Sequence, residues 1–292
     1  ILYFCANFKI HIDIMSKVIK IKKGLDIKMK GVAEKQISVM APSKSYAVKP
    51  TDFPGLTPKV VTKPGTEVKA GSPLFYDKYS PEIVFTSPLS GKIFAINRGE
   101  RRKILEFVIE TDGKNTFEEF IKRKPEDLTK EEIKENILKS GCWPLIRQRP
   151  FNIIADVNEA PRDIFVTSFD SAPLSPSFDF IVKDEFQAFQ TGVNALKKLT
   201  EGKVYLGIKS GELSNPFTNT ANVEKFEFKG PHPAGNVGVQ INKIKPVNKG
   251  ETVWTLNAAD VIIIGRLFET GKFDAKRIIA LVGSEVNNPK YY

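Results

Sequence analysis

In this chain of 292 residues, the types and spacing best suited to chemistry fall in Lys229-Gly230-Pro231-His232-Pro233-Ala234-Gly235-Asn236-Val237-Gly238. Two prolines fix φ and remove two N–H donors, while Gly235 and Gly238 permit close backbone approach on either side of Asn236 and Val237. The loop leaves an alternating strand (Phe226, Phe228) and is stiff at its start and open at its end. Such a loop can present backbone, an amine and an imidazole to a partner or ligand. Lys229, His232, Gly235 and Asn236 are the candidate site residues, expected at the mouth of an α/β domain. The competing reading is a tight strand-to-helix crossover in which His232 is only a packed loop residue.

Other constellations fail on spacing. No G-x-G-x-x-G opens a helix after a strand, and there is no phosphate loop, no G-x-S-x-G elbow and no H-E-x-x-H. Gly207-Ile208-Lys209-Ser210-Gly211 follows a strand but offers one short glycine pair. Cys5 and Cys142 make no C-x-x-C, and His11 and His232 are the only two histidines, so no protein-borne metal centre is expected. The cysteine usage fits a reducing compartment. Nucleic-acid modules are missing too, so a nucleic-acid partner rests on charge alone and is not expected. With no catalytic residues and no metal ligands to assign, the chain reads as a scaffold or a partner-dependent component of a larger assembly.

The elements that position the loop follow from composition and pattern. Hydrophobic residues make up 41% of the chain and charged residues 27%, as in ordinary globular proteins, and no apolar run reaches the ~20 residues of a membrane-spanning helix. Net charge is +10, yet residues 1–150 hold 28 Lys+Arg against 18 Asp+Glu while 151–292 hold 16 against 16. The excess is densest at Lys17, Lys20, Lys22, Lys23, Lys28, Lys30 and Lys35. A basic surface of this kind attracts anionic lipid, acidic protein or nucleic acid. Val18-Ile19-Lys20-Ile21-Lys22 also alternates like an edge strand, where lysines guard against mispairing, and both readings stay open.

Residues 1–14 read as an upstream extension before Met15-Ser16-Lys17, and are neither a convincing signal peptide nor an anchor. From 15 to 115 the signals are β: apolar runs at 37–40, 59–62, 83–85, 92–96 and 104–110 between Pro and Gly punctuation. Val68-Lys69-Ala70-Gly71-Ser72-Pro73-Leu74 and Ser87-Pro88-Leu89-Ser90-Gly91-Lys92-Ile93 resemble the biotinyl/lipoyl-carrier fold, a barrel-sandwich hybrid. Asp77-Lys78 echoes the carrier lysine of that fold, but Tyr79-Ser80-Pro81 follows, and Pro81 is expected to deform the exposed turn a carrier lysine needs. Residues 116–150 read as a helical linker, with Thr129 and Glu132 as a capping box and Ser140-Gly141 as the stop. From 151 to 292 strands (164–168, 204–208, 278–282) alternate with helices (183–199, 258–268), which predicts an α/β domain with a largely parallel sheet. The loops 168–177 and 226–241 are then expected near the strand ends, where ligands of open α/β sheets bind. The fold class is mixed α+β, and the last residues, 286–292, read as a connector to further structure.

Several stretches together resemble one family. They are Ile19-Lys20-Ile21-Lys22-Lys23-Gly24-Leu25-Asp26-Ile27, Asp52-Phe53-Pro54-Gly55-Leu56-Thr57-Pro58-Lys59-Val60, Ser87-Pro88-Leu89-Ser90-Gly91, Gly141-Cys142-Trp143-Pro144 with Arg149-Pro150-Phe151, and the 229–238 loop. The family is NqrA, one of the six subunits of the bacterial Na⁺-translocating NADH:quinone oxidoreductase, and the resemblance runs from about Met15 to Tyr292. It implies a peripheral protein at the cytoplasmic face of the inner membrane, working with five other subunits, the membrane-embedded NqrB above all. It also implies a place at the quinone end, with FMN, FAD, riboflavin and iron–sulfur carried by the partners. On this resemblance the α/β domain is Rossmann-like and related to the flavin-binding subunit of complex I. The glycine-rich flavin loop of those relatives falls at 140–146, where Trp143 is expected to fill the phosphate space, so no cofactor is expected on this chain. The alternative is a degenerate flavin/NADH-binding dehydrogenase subunit of an Rnf-like or complex I-like assembly.

Overall fold

The computed structural model describes residues 17–211 and 215–292. The extension at 1–14, with Cys5 and His11, lies outside the described residues. The first strand, β1 (Lys17–Lys20), does not join the β-rich half but pairs in parallel with a strand some two hundred residues later. The short β2 (Glu34–Ile37) follows, a few residues ahead of the expected 37–40 run.

The barrel-sandwich then builds from β3 (Ser45–Val48), β4 (Pro58–Val60), β5 (Glu67–Val68), β6 (Pro73–Asp77), β7 (Ser80–Thr86), β8 (Gly91–Arg98) and β9 (Ile104–Thr111). They form a four-stranded sheet, β3-β9-β8-β5, facing a three-stranded one, β4-β6-β7. Phe75 and Phe107, from opposite sheets, stack at 5.0 Å, and Phe85 stacks on Phe75 at 4.6 Å. With Leu74, Ile93 and Ile109 fully buried beside them, this aromatic stack is the domain's core. Lys78 and Tyr79 alone link β6 to β7, and Lys78 is exposed. Pro81 does not deform that turn as expected. The register slips between Asp77↔Ser80 and Tyr76↔Val84, so the proline sits in a bulge where no ladder N–H is required.

Only part of 116–140 is helical: α1 (Lys130–Ser140), while 117–121 runs extended against Ala70 and Gly271. Thr129 Oγ1 accepts from Glu132 N, the Glu132 carboxylate accepts from Thr129 N, and Gly141 closes the helix at φ +82. The supposed linker also contributes β10 (Arg147–Arg149), which pairs with β11 (Ile153–Ile154) inside the α/β sheet.

Next come β12 (Ile164–Thr167), α2 (Phe178–Val182), α3 (Phe186–Lys198), β13 (Val204–Lys209), β14 (Glu224–Lys229), α4 (Val237–Ile244), β15 (Val253–Asn257) and α5 (Ala258–Thr270). The seven-stranded sheet runs β1-β14-β13-β12-β15-β10-β11, parallel from β1 to β15 and antiparallel beyond. Strand alternation decides its faces. Ile164, Val166, Leu206 and Leu256 pack with α3 and α5, and Phe165, Tyr205 and Val253 pack with Ile241 of α4. The helices α3 and α5 cross closely enough that a Cβ on Gly265 would lie 1.7 Å from the Ala188 carbonyl oxygen. Two short strands, β16 (Ala280–Leu281) and β17 (Lys290–Tyr291), add to β2 as a small fourth sheet.

Candidate functional site

The carboxyl ends of β12, β13 and β14 open on one crevice of about 480 Å³. Its walls come from four segments: the loop after β12 (Phe169, Ser171, Ser175), the end of β13 (Lys209, Ser210), the end of β14 (Lys229, Gly230) and the segment after β1 (Asp26, Val32). The loops at 168–177 and 226–241 do meet here.

Hydrogen bonds fix each wall. Ser168 Oγ donates to Gly207 O at 2.9 Å and Thr167 Oγ1 donates to Phe169 O at 2.9 Å, so the chain leaving β12 is tied back to the sheet. Gly235 N donates to Ser171 Oγ at 2.8 Å, and that hydroxyl lies 3.0 Å from His232 Nδ1. On the other side His232 N donates to Asp26 Oδ1 at 2.8 Å, and Leu25 N to His232 O at 3.0 Å.

The four candidate residues therefore occupy different positions. Lys229 is exposed and lines the crevice. His232 is half-buried and bridges the loops, joining Ser171 on one side to Asp26 on the other. Gly235 is buried, and a Cβ there would lie 2.4 Å from Ser171 N, so no other residue fits this crossing. Asn236 turns its side chain to α4, where Oδ1 caps Gly238 N at 2.8 Å. Ser171, Asp26 and Ser210 are not singled out by the sequence because nothing local marks them. Only the loop at 168–177 is expected near the strand ends.

Trp143 lies elsewhere. It is fully buried, meets Trp254 edge-on at 5.3 Å and donates from Nε1 to Ala155 O at 2.8 Å. Trp254 is in β15 and Trp143 leads into β10, so the pair belongs to the β15-β10-β11 half of the sheet, whereas the crevice opens at the ends of β12, β13 and β14. Trp143 does fill space, but the space is hydrophobic core. Its neighbour Cys142 is buried as well, and burial pushes that thiol up to about 12.

The amino-terminal end of the sheet is closed by charge. Asp163, just ahead of β12, accepts from Arg162 Nε at 2.7 Å, from Lys203 N at 3.1 Å and from Lys245 Nζ at 2.8 Å. Burial disfavours its ionised form, but these donors together outweigh that and hold its carboxyl below the ordinary value. In the crevice the polar groups are amines, hydroxyls and two carboxylates, Asp26 and Asp170. Such a set can bind and orient a polar or anionic group, and among the described residues no cluster fits a metal ion.

A barrel-sandwich joined to an α/β sheet with a polar crevice at its strand ends defines a class: a two-domain protein of mixed α and β structure. Family comparison sharpens this. Residues 19–112 match the NqrA N-terminal barrel-sandwich hybrid domain and 128–273 the NqrA second alpha/beta domain, so the chain belongs to the NqrA family. It is 42% identical over 276 residues to the NqrA component of the Na(+)-translocating NADH-quinone reductase of Neisseria meningitidis serogroup B, covering 94% of this chain and 61% of that protein. The proteins of the same name from Photorhabdus laumondii and Pasteurella multocida are each 39% identical, with the same coverage of 94% and 61%. The chain thus spans about three fifths of the length of these relatives.

Proposed function

We propose that this chain is the peripheral subunit of a Na⁺-translocating NADH:quinone reductase, which moves electrons from NADH to ubiquinone or menaquinone and exports Na⁺. In this reading it carries no redox cofactor, and FMN, FAD, riboflavin and iron–sulfur belong to the five partner subunits. It docks on the membrane-embedded NqrB at the cytoplasmic face of the bacterial inner membrane. The observation that carries the reading is the match of both family domains, in order, over nearly the whole chain. Among the described residues no helix is long and apolar enough to cross a membrane, which suits attachment through partners.

The crevice is the working surface in this reading. Lys229 and the His232 loop face a partner subunit or the quinone head group, and Gly235 and Asn236 hold the loop in place. Purification with and without the membrane subunits tests it. The chain alone is expected to be colourless and inert toward NADH, and to co-purify with NqrB; bound flavin or NADH oxidation by the chain alone would overturn it. A second reading has one observation behind it: the strand order β14-β13-β12-β15 and the crevice at its carboxyl ends are those of nucleotide-binding sheets. Visible flavin absorption would select that Rossmann-like, degenerate dehydrogenase reading.

A further inference from the structure

We propose that residues 22–32 form a strap whose outer surface lies on an anionic lipid bilayer. The strap leaves β1 and crosses the carboxyl end of β14. It is pinned by backbone: Ile21 N to Lys229 O at 2.8 Å, Leu25 N to His232 O at 3.0 Å, and Gly283 N to Gly31 O at 3.1 Å. Gly24 packs so tightly that a Cβ would lie 1.9 Å from His232 O. Ile21 and Ala33, at its two ends, are buried at 6% and 8% exposure.

What lies between the pins is turned outward. Leu25, Ile27, Met29 and Val32 are 71%, 60%, 54% and 68% exposed. Leu25, Ile27 and Met29 thus present apolar surface at alternate positions among the lysines. Lys22, Lys23, Lys28 and Lys30 are all exposed, and none is in an ion pair among the described residues. Lys17 and Lys20, by contrast, flank the edge of the α/β sheet, where guarding against mispairing accounts for them. That explanation does not extend to the strap, which is no strand.

A row of apolar side chains one residue deep, bordered by lysines, matches a surface whose negative charge lies just above an apolar phase. A bilayer with anionic headgroups is such a surface. An acidic protein partner would supply the charge, but it would need a groove shaped to the apolar row. The inference is independent of the redox reading, because it needs lipid alone.

Sedimentation of the purified protein with phosphatidylcholine vesicles, with and without phosphatidylglycerol, tests it. Binding is expected only with phosphatidylglycerol and should weaken as salt rises. Each strap lysine is worth about fivefold in the partition coefficient, so Lys22→Glu/Lys23→Glu/Lys28→Glu/Lys30→Glu together abolish binding. Leu25→Ser/Ile27→Ser/Met29→Ser weakens it roughly tenfold or more. These positions are exposed, and an unchanged thermal melt confirms that the variants fold. Equal binding to neutral vesicles, no binding to anionic ones, or variants that bind like the parent would each overturn the proposal. So would strap variants that lose only their hold on a protein partner. Failure here leaves the proposed place in the reductase untouched, since co-purification with NqrB is read separately.

Discussion

Two regions of the α/β sheet are built on opposite plans. Away from the crevice, large and charged groups are locked in place. Trp143 is fully buried with its one polar atom paired, and Asp163, 1% exposed, is held by three donors. At the carboxyl ends of β12, β13 and β14, four segments leave a crevice of about 480 Å³ lined in part by Lys229. The first region holds the fold together, and the second opens a polar crevice to the outside. The difference shows where substitution should cost stability and where it should cost function.

The comparison breaks first at Trp143. Trp143→Ala empties a fully buried indole site and should cost about 3 to 5 kcal/mol in urea unfolding; a loss under about 1 kcal/mol would show that this region is not the structural one. Asp163→Ala removes the acceptor of Arg162 Nε, Lys203 N and Lys245 Nζ and should cost about 1 to 3 kcal/mol. The same carboxylate supplies a pH signature. Its value is lower in the folded chain than the ordinary 3.8, so its contribution is complete well above 3.8 and fades as pH falls through the folded value. Asp163→Asn should flatten that part of an acid-unfolding curve.

At the mouth the effects on stability shrink. Gly235→Val drives a side chain into the backbone of Ser171 and should cost about 1 to 3 kcal/mol while weakening complex assembly or quinone turnover. Unchanged assembly and turnover would remove the loop from the site. Lys229→Ala, an exposed position, should leave stability within about 0.5 kcal/mol and still weaken association with the membrane subunits a few-fold. Cost in function without cost in stability is the outcome that sharpens the contrast most.

Much of this fold could be read from local pattern. Thr129 and Glu132 announce the start of α1, since a cap needs only neighbours three residues apart. The helices at 183–199 and 258–268 and the strands at 164–168 and 204–208 show the periodicities of buried elements, and all four form. What escaped depends on distant pairing. Nothing in Lys17-Val18-Ile19-Lys20 says that its partner is 226–229, or that Arg147–Arg149 will lie against β15. Pro81 misled because a bulge absorbs it next to an intact turn. For the site, glycine and proline spacing picked out the 229–238 loop, but its neighbours Ser171 and Asp26 are ordinary residues brought there by topology. Trp143 is visible in the sequence only as a bulky residue, and its burial against Trp254 required the fold.

Hydrogen exchange of the chain, free and with the membrane subunits bound, tests the central claim most directly. The account predicts new protection in the loops at 168–177 and 229–236, with the segment around Trp143 unchanged. Protection confined to the barrel-sandwich, with those mouth loops exchanging as in the free chain, would contradict it.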